Sequence, residues 1–510
     1  MTKKQTGTKA IVKNTILLYA RMLIVLLVSL YISRILLQSL GVEGYGIYNV
    51  VGGITTLFSF MTAAMSIATQ RFLTFELGKG NVIQMQEIYC VSLLIHVIII
   101  CLFLVLSETL GLWILYDFID IPPEKENVAF GVYQFAILTM CVNICVIPFN
   151  ATIITYEKMA VYAIISIIDI VLKLLVAFSI QYASCEKISF YAAMLLLESI
   201  VVLLINYLYC KKHFEIIQFR FKLAKNRFLF KQLFSFTGWN FLGQSSMAFS
   251  NQGINIVLNM FFGVAINAAM GITMQVNGAL MNLIYNFQTA FRPQLTKLYA
   301  QNAKDDIQFL IYFATKVSFF LLFIVMLPLV FNINYVLELW LGEVPLHTSK
   351  FCVLMLIYSL TEAITGPLFI TINASGKIRT YQIYVSIILV LNIILSYILL
   401  NFGYAPEIVF YVKILINIFL LIYRVYYCNT MISINVRKYV NTVLLKLLSA
   451  TVMPVLIMLI LNERYISSFI PSILTAISLV TISMYYIGLN KNERKLIIEN
   501  VWQKLFQKKS

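Results

Sequence analysis

Apolar runs of about 20 residues recur from one end of the chain to the other, and short segments with most of the charged residues separate them. Each run is long enough to cross the hydrocarbon core as a helix, and none shows the alternation of a transmembrane barrel strand. The pattern predicts an all-α integral membrane protein with fourteen transmembrane helices. Of the 510 residues, 61% are hydrophobic and only 12% are charged, which argues strongly against a soluble globular fold.

Basic residues set the predicted orientation. The formal net charge of +16 does not come from one basic patch, because lysines and arginines are spread over the gaps between apolar runs, so we expect no nucleic-acid partner. With the N-terminus inside, the outer loops hold only four basic residues, and most of the others fall on the cytoplasmic side. These four are Lys125, Lys187, Lys350 and Arg464. An even number of helices then places both termini in the cytoplasm.

Two parts of the chain look like copies of each other. Pro148, Thr152 and Lys158 reappear 219 residues later as Pro367, Thr371 and Lys377. We therefore predict two pseudo-symmetric six-helix lobes, related as in transporters built from parallel repeats, plus two C-terminal helices. The predicted domains are an N-lobe at 1–210, a cytoplasmic linker at 211–232, a C-lobe at 233–430, helices 13 and 14 at 431–490, and an amphipathic cytoplasmic tail at 491–510.

Polar side chains inside the predicted spans mark the candidate site. Four amides of the seventh span, at 233–262, share one helical face, and the eighth span, at 266–291, continues the pattern. Amides are poor lipid-facing groups, so they either bond helices together or line a hydrated cavity, where they suit sugar hydroxyls. The predicted cavity residues are Arg21, Asn240, Gln244, Asn251, Asn255, Gln275, Asn282 and Arg292.

Charged residues within the spans carry two further expectations. Bases outnumber acids there, which favours an anionic substrate over a cationic one. Asp169 and Glu362 are candidate coupling-ion sites, although Asp169 forms an i, i+4 pair with Lys173 and Glu362 could equally belong to a buried ion pair. No P-loop, HExxH motif or metal-ligand spacing occurs, and the cysteines show no pairing pattern. We predict no catalytic residue, no metal and no cofactor.

Several short motifs, in this order, resemble those of polysaccharide or O-antigen flippases in the multidrug/oligosaccharidyl-lipid/polysaccharide exporter superfamily. They are Lys13-Asn14-Thr15, the segment from Leu40 to Tyr48, Gln70-Arg71-Phe72, and the segment from Asn373 to Lys377. The resemblance implies alternating access that moves an undecaprenyl-diphosphate-linked oligosaccharide across a bacterial cytoplasmic membrane. It also implies diphosphate-binding arginines, to which Arg21 and Arg292 correspond by position, membrane lipids as surroundings, and glycan-assembly proteins as possible partners.

Two other functions remain open from the sequence. A multidrug cation antiporter of the same superfamily would be expected to carry an acid in its first helix, where this chain has Arg21. A membrane enzyme, such as an oligosaccharide polymerase, generally needs a sizeable loop outside the membrane. The longest such segment here, 211–232, is basic and predicted to be cytoplasmic.

Overall fold

The computed structural model describes residues 3–56, 59–117, 123–184, 186–218, 223, 225–464, 469–491 and 493–494. Within these ranges the chain is built from α-helices with short 3-10 and π turns, and it contains no strand. The first helices are α1 Lys3–Thr56, α2 Ser59–Lys79, α3 Val82–Leu106 with its extension to Asp117, α4 Glu126–Thr155, α5 Met159–Ser179 and α6 Lys187–His213. The others are α7 Arg227–Phe262, α8 Val264–Ala300, α9 Lys304–Phe331, α10 Ile333–Leu341, α11 Thr348–Ser375, α12 Arg379–Asn401, α13 Ile408–Ile432, α14 Leu445–Arg464 and α15 Phe469–Ser483.

Hydropathy separates two kinds of long helix. Eleven helices of the described part are long and apolar enough to cross a membrane. The predicted spans at 233–262 and 266–291 are also long helices, α7 and α8, but both are too polar to belong to the eleven. The structure therefore confirms an all-helical chain with many membrane-length helices, while the count of fourteen remains a prediction.

The helices group into two compact units, one of Ile16–Gln244 and one of Met1–Thr15 with Ser245–Ser510. The core of the first unit is apolar and includes the fully buried Phe103 of α3 and Tyr133 of α4. The core of the second unit brings together α7, α8, α11 and α13 around Leu258, Phe351 and Phe410. Each unit thus has its own apolar core.

Residue pairs separated by 218 to 222 positions, close to the repeat spacing of 219, have the same local geometry. Gly41 and Gly263 both have φ of 72°, with ψ of 175° and −169°, a conformation that glycine alone adopts readily. Thr152 and Thr371 each donate a hydrogen bond of 2.8 Å to the carbonyl of the proline four residues earlier. Cys210 and Cys428 each contact the carbonyl of the residue after that proline, at 3.8 and 3.7 Å. These pairs support a duplicated chain.

A buried ion pair attaches the last described residues to the second unit. Lys316 of α9 is fully buried and donates to both carboxylate oxygens of Glu493, at 3.0 and 2.9 Å, and Glu493 is 3% exposed. Removing one member of such a pair is costly, about 3–5 kcal/mol, because the other charge stays buried. Nearly all of the predicted amphipathic tail at 491–510 lies outside the described residues.

Candidate functional site

One face of α8 combines exposure with polar and small side chains. Its exposed residues fall within about 120° of the helix circumference, taking 100° per residue. They are Ala268, Gly271, Gln275, Gly278, Ala279, Asn282 and Tyr285, and we call them the α8 face. A Cβ atom added at Gly271 or Gly278 would meet no other atom within 4 Å, so this side of the helix is open. Two of the predicted cavity residues, Gln275 and Asn282, therefore share an open surface.

Lipid is a poor environment for the α8 face. An amide in hydrocarbon loses its hydrogen bonds to water and gains none in return. Among the α8 residues whose burial the structure describes, 266–300, Tyr285 is the only large apolar one that is exposed, at 47%, and it carries a hydroxyl. The composition of the face is thus typical of a surface that meets water or a polar ligand at membrane depth.

The predicted amides of α7 lie in different surroundings. Asn240 is fully buried, and its side chain donates to the carbonyl of Phe236 at 3.1 Å. Gln244, Asn251 and Asn255 are partly buried. The amide of Asn255 donates to Gln252 at 3.1 Å. In this structure the side chain of Asn240 is therefore hydrogen bonded within its own helix. Its role as a cavity residue remains a prediction.

Asn251 belongs to a cluster of charged and aromatic residues in the second unit. Its side-chain oxygen accepts a hydrogen bond of 3.0 Å from the ammonium of Lys413 on α13. That ammonium also lies 4.4 Å from the centre of the Tyr358 ring on α11. Tyr358 lies within electrostatic range of Glu362, one helical turn further along α11. We call Asn251, Tyr358, Glu362 and Lys413 the lysine cluster.

The lysine cluster has polar neighbours on two sides. Arg424, also on α13, lies within electrostatic range of Glu362 and donates from Nε to the Tyr381 hydroxyl at 2.8 Å. Tyr285 of the α8 face lies within electrostatic range of Glu362 as well. The α8 face and the lysine cluster are therefore adjacent parts of one unit.

Close packing of α8 against α11 accounts for this adjacency. The hydroxyl of Ser359 donates to the side-chain oxygen of Asn277. One turn after Glu362, the side-chain amide of Gln288 lies against Gly366, in the place that a Cβ atom would take. A glycine at this position lets a polar side chain of α8 reach the backbone of α11.

In the first unit, Arg21 contacts an aromatic ring. Its guanidinium carbon lies 4.9 Å from the centre of the Tyr162 ring at the start of α5. Arg21 is partly buried, and its Nε atom is buried without a hydrogen-bond partner. A guanidinium stacked on a ring keeps its edge donors available, and those donors match the geometry of a phosphate.

Asp169 is paired within its own helix. Lys173 donates to it at 2.8 Å, as the i, i+4 spacing predicts. Glu198 of α6 is 5% exposed and lies within electrostatic range of Lys173 and Asp169. The candidate coupling residue of the first unit thus belongs to a group of two carboxyls and one ammonium.

Arg292 lies within α8, not at its end. The hydropathy window ends at residue 291, but the helix continues to Ala300 with Pro293 inside it. Hydropathy finds the apolar length of a span, whereas a helix can extend beyond that length with polar residues. Arg292 is partly buried, and its carbonyl accepts a hydrogen bond of 3.1 Å from Thr296.

Sequence reasoning overlooked Lys413 and Tyr285 as parts of the site. The charge of Lys413 within a span was a visible signal, but its contact with Asn251 joins residues 162 positions apart. Tyr285 lies on the same helical stripe as Gln275 and Asn282, so its spacing could have indicated it.

Comparison with known proteins gives a likeness of fold. Neither a protein-family model nor a curated protein matches the chain. A MATE transporter in the bent conformation is similar, with a TM-score of 0.73 and 15% identity over 86% of this chain and 99% of that one. An outward-facing multidrug resistance MATE family transporter of the MOP superfamily is also similar, with a TM-score of 0.70 and 14% identity over 85% and 98%.

A third similar structure differs in its binding site. It is a MOP superfamily transporter from Pyrococcus furiosus, with a TM-score of 0.72 and 14% identity over 85% of this chain and 98% of that one. The reverse polarity of its binding pocket is described as suggesting a different function. Because all these identities are low, the likeness establishes the fold: the chain has the architecture of MATE transporters of the MOP superfamily.

Proposed function

We propose that this protein is an exporter that moves an undecaprenyl-diphosphate-linked oligosaccharide, an O-antigen or capsule repeat unit, across the bacterial cytoplasmic membrane by alternating access. The observation that carries the proposal is the α8 face, which is open and polar on a helix of membrane length. In the proposal this face lines a hydrated path for the substrate, and both termini are cytoplasmic.

The chemistry of the α8 face suits a carbohydrate. Gln275 and Asn282 each offer an acceptor oxygen and a donor NH₂ group, and sugar hydroxyls both donate and accept. The small residues between them leave space beside the helix, as the open surroundings of Gly271 and Gly278 illustrate. A surface of this kind can accommodate a bulky polar group without a fixed pocket.

Basic residues favour an anionic carrier lipid. Arg21 presents a guanidinium within the first span, where a cation antiporter would be expected to have an acid. In the proposal Arg21 and Arg292 bind the diphosphate, while Asn240, Gln244, Asn251, Asn255, Gln275 and Asn282 contribute to the polar path. Asp169 and Glu362 remain the proposed coupling residues, and each has a lysine partner in the structure or within electrostatic range.

A multidrug cation antiporter is the second candidate. The fold is shared with multidrug resistance MATE transporters, so it fits this function at least as well as glycan export. The charges near the candidate acids support the exporter in this proposal, because a cationic drug needs an accessible acid. The acids proposed for coupling lie beside Lys173 and Lys413. An enzyme is disfavoured because the fold is that of transporters.

Arg21→Ala provides the test in a bacterial strain that lacks this protein and any redundant exporter. We expect the wild-type chain to restore the surface glycan, and Arg21→Ala to lower its export at least about tenfold, because a phosphate would lose a charged hydrogen-bond partner worth about 1.5–3 kcal/mol. Surface glycan is measured by immunoblot beside the amount of protein in the membrane.

Arg437→Ala is the matched control, since Arg437 is exposed at the start of the segment leading to α14. Export should remain normal in this variant. Normal export by Arg21→Ala at normal protein level would contradict the assigned diphosphate site. Failure of the wild-type chain to export glycan, together with increased resistance to cationic drugs, would favour the antiporter.

A further inference from the structure

Lys413 is an unusual residue for the interior of a membrane protein. It lies six positions into α13, on a helix of membrane length, and it is only 7% exposed. A lysine that deep is costly unless its ammonium is paired and hydrogen bonded. The groups around the ammonium therefore indicate what it does.

The surroundings of the ammonium are those of a bound cation. The Asn251 oxygen accepts from it at 3.0 Å, the Tyr358 ring faces it at 4.4 Å, and Glu362 supplies a carboxylate within electrostatic range. Amide oxygens and carboxylates are the ligands that small hard cations take in proteins, and an aromatic face adds to the attraction. Asn251, Tyr358 and Glu362 come from α7 and α11, whereas the ammonium comes from α13.

We infer that the ammonium of Lys413 is a built-in cation that occupies the place of a metal cation at Glu362. The side chain delivers one positive charge to a carboxylate and an amide that would otherwise form a site for an ion such as Na⁺. The charge is covalently attached, so it does not depend on the ion concentration outside the protein.

Arg424 strengthens this assignment. It adds a second positive charge within electrostatic range of Glu362, from a position eleven residues further along α13. With both bases present, the negative charge of Glu362 is already balanced. We therefore expect Na⁺ to have no site in this cluster. We also expect export not to require a Na⁺ gradient, and this second expectation rests on the proposed transport function.

Sodium binding to the purified full-length protein tests the inference without the transported substrate. The melting temperature is measured in NaCl and in choline chloride at equal ionic strength. We expect no sodium-specific shift for the wild type or for Lys413→Arg, which keeps a tethered cation. Lys413→Met should gain sodium binding, seen as a rise of about 2 °C or more at saturating Na⁺, because a ligand that binds only the folded state stabilises it.

Two further variants assign the effect to the cluster. Lys413→Met combined with Glu362→Gln should lose the sodium response again. Lys446→Met, which removes the same charge from the first turn of α14, should show no response. A sodium-specific shift in the wild type that Glu362→Gln removes would overturn the inference, even if Lys413→Met does not fold. A folded Lys413→Met without any shift would overturn it too, and neither result depends on glycan export.

Discussion

The exposed faces of α8 and α12 differ, although both helices belong to the same unit and both have membrane length. Exposed residues on α12 are mostly large and apolar. They include Ile387, Val390, Leu391, Ile394, Leu395 and Ile398. The α8 face consists of glycine, alanine, two amides and Tyr285.

This difference shows that two helices of one unit can expose surfaces suited to different surroundings, one to hydrocarbon and one to water. Lipid-exposed helices need apolar side chains because hydrocarbon offers no hydrogen bonds, and α12 meets that need. The α8 face does not, so exposure alone does not identify a lipid-facing surface. The kind of residue that is exposed carries that information.

Arginine substitutions should give the largest contrast between the faces. Leu391→Arg on α12 places a charge toward lipid near the middle of a span, at a cost of about 2.5–3.5 kcal/mol. We expect a strong loss of folded protein in detergent, measured by fluorescence-detected size-exclusion chromatography. Asn282→Arg should give a yield close to the wild type, because the new side chain stays hydrated. An equal loss in both variants would mean that the α8 face meets lipid.

Leucine substitutions on the α8 face should have a smaller effect, on export and not on folding. Gln275→Leu and Asn282→Leu each remove hydrogen-bonding groups worth about 1 kcal/mol, or about a fivefold change in binding. Surface glycan should fall accordingly while the amount of membrane protein stays unchanged. Ile387→Leu on α12 is the matched control with no expected effect. Export unaffected by both α8 variants would separate this face from the substrate path.

The smallest effect concerns the loop that follows α12. Burial alone would raise the pKa of Glu407, but the hydrogen bond from His347 at 2.9 Å and the nearby Lys350 lower it overall. The ionised carboxylate therefore stabilises the folded state above its unfolded pKa of about 4.3, and this stabilisation is lost as the pH falls through the lower folded value.

His347→Ala should remove about 1 kcal/mol of stability at neutral pH, because one hydrogen bond to a carboxylate is lost. The melting temperature, followed from pH 7 to below pH 4, should then fall less steeply in acid than that of the wild type. Parallel curves would show that the hydrogen bond between His347 and Glu407 does not contribute to the pH dependence of stability.

The sequence located much of the fold for a simple reason. A membrane selects long apolar helices, so hydropathy alone marks α9 or α12 without knowledge of their neighbours. It also indicated the repeat, since Pro148 and Pro367 with their following threonines keep the same spacing and make the same local bonds. Helix ends were less certain, as Arg292 shows, because polar residues can continue a helix past its apolar span.

The sequence predicted only part of the candidate site. Periodicity placed Gln275 and Asn282 on one stripe of α8, and the structure exposes both. The same reasoning grouped Asn240 with Asn251, yet Asn240 is fully buried and bonded within its own helix. Helical spacing gives the direction of a side chain relative to its helix, and says nothing of which neighbour covers that direction.

By itself, the sequence determined that this is a helical membrane protein with polar spans and a basic excess, because those properties depend on residue type and local spacing. Only the tertiary structure decided which amides are open and which are covered, and that the ammonium of Lys413 lies against Asn251 and Tyr358. Such contacts join helices far apart in the chain, and they form only when packing brings those helices together.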